Sequence, residues 1–165
     1  MEPYKLRRWR RKSSPDLISL FTCARPGRSR GNDGSVPDAT VDKWVRGLPG
    51  VSPIAILSLL GRKPDGLSEF SFYSFSGDFE KPEERGRRPT FQQWLAQRQS
   101  ERGIEVIHHP TVDFKRVADA TLVAAAQDIE AFLAAGRTVV LVDSGGETRT
   151  RQVCRYAGFV EDPRT

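Results

Sequence analysis

Apolar positions in this chain fall into short runs and one long periodic stretch, each bounded by Gly, Pro or a polar cluster. Leu17–Cys23 reads as a first strand, closed by Ala24-Arg25-Pro26-Gly27, and Arg28–Ser35 reads as a loop. Thr40 opens a short helix through Val41, Trp44 and Val45 that stops at Gly47-Leu48-Pro49-Gly50. Ile54–Leu60 is almost wholly apolar, the pattern of a strand covered on both faces. Phe70–Phe75 alternates in part and predicts a further strand. The polar stretch Gly77–Pro89 predicts a surface loop, and Thr90 to about Arg102 a helix stopped by Gly103. Ile104–Ile107 is a short strand.

From Val117 onward Ala118, Leu122, Ala125, Ile129, Phe132 and Leu133 recur at intervals of three and four residues, which is one helix face closed by Gly136. Val139–Val142 is the next strand and Thr150–Tyr156 the next helix, with Gly158 after it. Strands alternating with helices predict an α/β domain with a mostly parallel central sheet flanked by helices. Ligands of such sheets gather beyond the carboxyl ends of the strands, where Asp143 falls.

Composition narrows the class. A hydrophobic fraction of 38% excludes a disordered chain, and 165 residues suffice for one sizeable core. No apolar run approaches the roughly 20 residues of a membrane-spanning helix, and Leu17–Phe21 is too short for the core of a signal peptide, so a cytoplasmic protein is expected. Cys23 and Cys154 form neither a metal spacing nor a disulfide framework and read as buried thiols. The net charge of +5 is uneven. Residues 1–31 hold nine Lys or Arg against Glu2 and Asp16, a net of +7, which leaves −2 for the remainder. We therefore divide the chain into a basic N-terminal arm over 1–31, with a possible first strand, and a domain over 32–165. Tyr4, Leu6 and Trp9 are interleaved with Lys5, Arg7, Arg8, Arg10, Arg11 and Lys12. That cluster suits an anionic partner, nucleic acid or acidic lipid, or else a solvated arm that packs Leu6 and Trp9 on the body.

The stretch Val139–Thr150 concentrates the candidate chemistry. A β-branched strand feeds Ser144-Gly145-Gly146-Glu147-Thr148, then Arg149 and Thr150 at the start of a helix. Glycines let main-chain N–H groups gather round an anion, and the helix N-terminus adds a positive dipole. Arg149 brings a planar fork that can hold a phosphate through two parallel hydrogen bonds.

This order resembles the signature loop of the cysteine-dependent protein tyrosine phosphatases, in particular the small dual-specificity branch: His-Cys, two residues, Gly, two residues, Arg, then Ser or Thr. Gly146, Arg149 and Thr150 match that motif, whereas Val142 replaces its His and Asp143 its nucleophilic Cys. The resemblance covers about residues 40–158. It implies a phosphatase-like fold, phosphate held by Ser144, Gly145, Gly146, Glu147, Thr148 and Arg149, and no metal or other cofactor. Asp113, 30 residues before Asp143, matches the family's loop acid that protonates the leaving oxygen; its simpler role is to cap the helix that follows. Thr150 would donate a hydroxyl into the loop or cap its helix.

Asp143 decides the activity. A carboxylate needs no histidine to ionise it and can form an aspartyl-phosphate. The expectation is therefore a phosphatase acting on phosphoesters, phosphoproteins above all, with Asp143 attacking and Asp113 as acid. A pseudophosphatase that holds phosphorylated partners is the alternative, and binding through the basic arm a third. Asp143-Ser144-Gly145-Gly146 also matches the nucleophile tetrapeptide of chymotrypsin-like proteases, but helices alternate with its strands and the histidines, His108 and His109, are adjacent. No Gly-Lys-Ser/Thr supports a nucleotide loop.

Overall fold

A computed structural model describes residues 3–28, 38–51, 53–61, 64 and 103–164. Its elements in chain order are β1 (Arg7–Arg11), β2 (Leu20–Ala24), α1 (Asp38–Arg46), β3 (Ile54–Ser58), β4 (Ile104–His108), α2 (Asp119–Ala134), β5 (Thr138–Asp143), α3 (Arg149–Tyr156) and β6 (Phe159–Glu161). Together they make a single α/β domain with one six-stranded sheet, ordered β4-β3-β5-β2-β1-β6, and three helices among the described residues. β2, β5, β3 and β4 run parallel, and β1 is antiparallel to both β2 and β6.

The parallel strands are buried because both faces are covered, as their unbroken apolar runs require. On β5, Val140 and Val142 point into a cluster with Phe21, Ile54, Ile56 and the α1 residues Val41, Trp44 and Val45. Val139 and Leu141 point the other way, onto Leu122, Ala125 and Ile129 of α2 and Val153 and Cys154 of α3. Crossovers through α1 and α2 travel in opposite lateral directions, so a common hand places them on opposite faces. β2 leaves toward α1 and β5 toward α3, which opens a crevice between their carboxyl ends. That crevice holds Ala24 beside Asp143.

Several boundaries moved. β2 begins at Leu20 rather than Leu17, because Leu17 is exposed and the carbonyl of Ile18 accepts a hydrogen bond from Arg8 Nε at 3.1 Å. β3 stops at Ser58, since the carbonyls of Leu59 and Leu60 turn to side-chain donors instead of a strand. α2 starts after Ala118, and its buried stripe is Leu122, Ala125 and Ile129. The predicted strand Phe70–Phe75, the loop Gly77–Pro89 and the helix from Thr90 lie outside the described residues.

Within the basic stretch 1–31 a strand not expected from the sequence, β1, precedes β2. β1 pairs Arg8 with Phe21 and Arg10 with Val160, and Trp9 is buried in the α2–α3 cluster with its Nε1 donating to Thr22 Oγ1 at 2.9 Å. Four arginines in five residues hide this strand from a hydrophobicity pattern, yet its alternation is intact. Arg7 and Arg11, on the Trp9 face, pair with Glu161 (3.2 Å) and Glu130 (2.8 Å). No helix among the described residues is long and apolar enough to cross a membrane.

Candidate functional site

β5 ends at Asp143, in the middle of the sheet, and the five residues 144–148 connect it to α3. Asp143 is 1% exposed, so its carboxylate needs partners. It finds them in the main chain. Oδ1 accepts from the N–H of Gly146, and Oδ2 accepts from the N–H of Thr150 at 2.9 Å. Thr150 is the second residue of α3, so the Asp143 carboxylate caps that helix from across the loop and meets the positive end of its dipole. The residue at the usual capping position, Thr148, makes no side-chain cap bond. Thr150 is thus not the cap expected from its sequence position. Its hydroxyl is fully buried and has no hydrogen-bond partner among the described residues.

Gly146 shows why the loop needs glycine. Its φ is +73°, and a Cβ there would meet the nitrogen of Ala24 and lie 2.6 Å from the carbonyl carbon of Cys23. The loop therefore rests directly on the backbone of β2. Gly145 has open space around it. Gly146→Ala is expected to cost about 2 kcal/mol, from the left-handed backbone and the displaced β2 contact, while Gly145→Ala stays within about 0.5 kcal/mol of the parent. Denaturant midpoints of the two variants check this contrast. Equal midpoints would show that the loop does not sit on β2.

Besides Gly146 and Thr150, the N–H groups of Ser144, Gly145, Glu147 and Thr148 donate to no other described residue. Glu147 pairs instead through its carboxylate with Lys5 Nζ at 3.0 Å, which holds it below the usual carboxylate pKa. Through Lys5, the segment before β1 is tied to the loop; it also supplies the Tyr4 carbonyl that accepts from the N–H of Ala24 at 2.9 Å.

Arg149 is 3% exposed. Its Nη1 donates to Thr111 Oγ1 at 3.0 Å and its Nη2 lies 3.2 Å from Asp113 Oδ1. Thr111 in turn donates to the carbonyl of Leu59 at 2.5 Å, so the guanidinium is fixed by the segments following β3 and β4. Asp113 also accepts from the N–H of Phe114 at 3.0 Å. It does not cap α2, whose N-terminal flank is Ala118 without a side-chain cap bond. The structure thus gathers Asp143, Arg149, Thr150 and Asp113 at one end of the sheet. Thr111 and Lys5 belong to the same network and escape sequence reading, because their partners are a carbonyl, a guanidinium and a carboxylate distant in sequence.

The neighbouring thiol offers no substitute nucleophile. Cys23 pairs with Val142 across the β2–β5 ladder, and burial, reinforced by the charge of Asp143, pushes its pKa far up, so it remains a thiol. Burial does the same to Cys154. Both are free, buried cysteines. The histidines are engaged separately: His108 Nε2 with the Leu60 carbonyl at 2.5 Å, and His109 Nε2 with Asp128 at 2.6 Å.

Compared with protein-family models, curated proteins and solved structures, the chain matches none.

Proposed function

We propose that this protein binds the phosphate of a phosphorylated partner at loop 144–149 without hydrolysing it, a pseudophosphatase-type role. One observation carries the choice between binding and turnover. Each oxygen of Asp143 is held by a main-chain N–H, at a position 1% exposed. An attacking carboxylate would have to leave at least one of those bonds and strip a cap from α3. Asp143 serves better as the group that shapes the loop than as the group that reacts.

Support for anion binding comes from what Asp143 leaves over. The N–H groups of Ser144, Gly145, Glu147 and Thr148 are not used by other described residues, and the guanidinium of Arg149, at the start of the helix that the loop leads into, is held by Thr111 and Asp113. Amides, guanidinium and helix dipole all favour a dianionic phosphate there. Asp113 within ion-pair distance of Arg149 is the observation on the side of the hydrolytic reading, since it sets a carboxyl group next to the phosphate-binding side chain.

Two measurements on the intact protein distinguish these readings. Calorimetric titration with tyrosine-, serine- and threonine-phosphorylated peptides is expected to show saturable binding that their unphosphorylated forms lack. Release of p-nitrophenol from p-nitrophenyl phosphate is expected to stay at the buffer rate. Turnover that Asp143→Ala abolishes would restore Asp143 as nucleophile. Absence of both binding and turnover would remove the phosphate reading altogether.

A further inference from the structure

The two faces of β1 carry the same charge but differ in what neutralises it. On the Trp9 face Arg7 and Arg11 have Glu161 and Glu130 as partners. On the opposite face lie Arg8, Arg10 and, one step past the strand, Lys12, whose N–H continues the pairing to Gly158 at 3.0 Å. None of these three forms an ion pair among the described residues. Arg8 stacks over the Phe21 ring at 5.2 Å and donates to the Ile18 carbonyl, while Arg10 donates to main-chain carbonyls of Arg11 (3.3 Å) and Ser14 (3.5 Å). These contacts orient the guanidinium groups without ion pairing, although Arg10 lies near enough to the Asp162 carboxylate that, after the bonds from Arg164, its charge also helps to lower that group's pKa.

On this face Arg8 and Arg10 are half-buried and Lys12 is exposed. Neither β1 nor β6 contributes a buried apolar residue to the cluster beneath α1. Instead, Arg10, Lys12, Ser13, Ser14, Asp162 and Arg164 line a surface cleft of about 370 Å³. The carboxylate in the cleft, Asp162, is already held by Arg164 through bonds of 2.9 and 3.0 Å. Arg10 and Lys12 lie beyond the Trp9–Leu20 pair, toward the start of β2, and thus at the end of the sheet opposite Asp143.

We propose that this face binds the phosphate backbone of a nucleic-acid strand, independently of the loop after β5. Alternate residues on one strand stand about 6.7 Å apart, so Arg8 and Arg10 are spaced along β1, and Lys12 follows in the turn after it, giving a run of cations that a linear polyanion can follow. Two of the three are guanidinium groups, suited to bidentate phosphate contacts, and Ser13 and Ser14 add hydroxyl donors. A bilayer is the poorer fit. Three cations contribute about 1 kcal/mol each at an anionic membrane, and the β1–β2 connection offers only Leu17 as a well-exposed large apolar side chain.

The test is fluorescence anisotropy of a short labelled single-stranded DNA with the full chain over a salt series. Wild-type binding is expected to weaken with salt at a double-logarithmic slope of about −2, the value for three neutralised phosphates on a single strand. Arg8→Gln/Arg10→Gln/Lys12→Gln should lose at least about tenfold in affinity at low salt and flatten that slope. Lys12→Gln alone, at an exposed position, should reduce the slope by about 0.7. Arg11→Ala/Glu130→Ala, which removes a cation together with its partner, should leave both unchanged. Wild-type affinity in the triple variant overturns the proposal. So does failure of the wild type to bind the oligonucleotide at low salt, including the case in which it sediments only with phosphatidylserine vesicles.

Discussion

Asp143→Ala is expected to destabilise the protein by about 4 kcal/mol. Two hydrogen bonds from main-chain N–H groups to a carboxylate contribute about 1.5–3 kcal/mol each, and loss of the charge facing the N-terminus of α3 adds up to about 1 kcal/mol. Buried donors at Gly146 and Thr150 would lose their acceptors. For a chain of this length that corresponds to a fall in Tm of about 8–16 °C. Asp143→Asn keeps one acceptor but turns an amide NH2 toward a main-chain N–H, so about half the loss is expected. The sign matters more than the size. A group present only to react sits in strain that its removal relieves, so an Ala variant as stable as the parent, or more so, would deny Asp143 its capping role and revive it as a nucleophile.

That capping role was not visible in the sequence, although the residue itself was conspicuous. Asp143 stands out because it ends an apolar strand and replaces the Cys of a resembled motif; nothing in the pattern says which donors its oxygens meet. The donors are main-chain groups, which every residue carries, and their direction depends on loop geometry that Gly146 alone makes possible. The elements around the site were legible for ordinary reasons. β3 and β5 are unbroken apolar runs because helices cover both their faces, and α2 shows its stripe because one side alone is buried. β1 was missed because arginines occupy four of its five positions, with acidic partners on one face and main-chain carbonyls on the other; β6 is only three residues long. Arg149 and Asp113 were each picked out, but their pairing belongs to the topology: β4 and β5 deliver them to the same sheet end through β3. Thr111, which completes the guanidinium's cradle, had no signal at all.

Arg149→Met is expected to weaken phosphopeptide affinity by at least about 100-fold, or roughly 2.7 kcal/mol, the size of two charge-assisted bonds to one phosphate. Arg149→Lys keeps a positive charge but not the fork, and a loss of about tenfold is expected. Arg149→Met also disturbs the fold, because Asp113 would lose its ion-pair partner and Thr111 a donor. The two effects separate in Arg149→Met/Asp113→Asn. Removing the carboxylate together with the guanidinium should recover most of the stability, read by thermal melting, and none of the affinity, read by calorimetry. If the double variant regains both, Arg149 is a strut between β5 and the segment after β4, and the loop's amides alone hold whatever anion it takes. If Arg149→Met binds phosphopeptide as the parent does, the guanidinium takes no part in holding the phosphate, and its contacts, those with Thr111 and Asp113 among them, serve the fold.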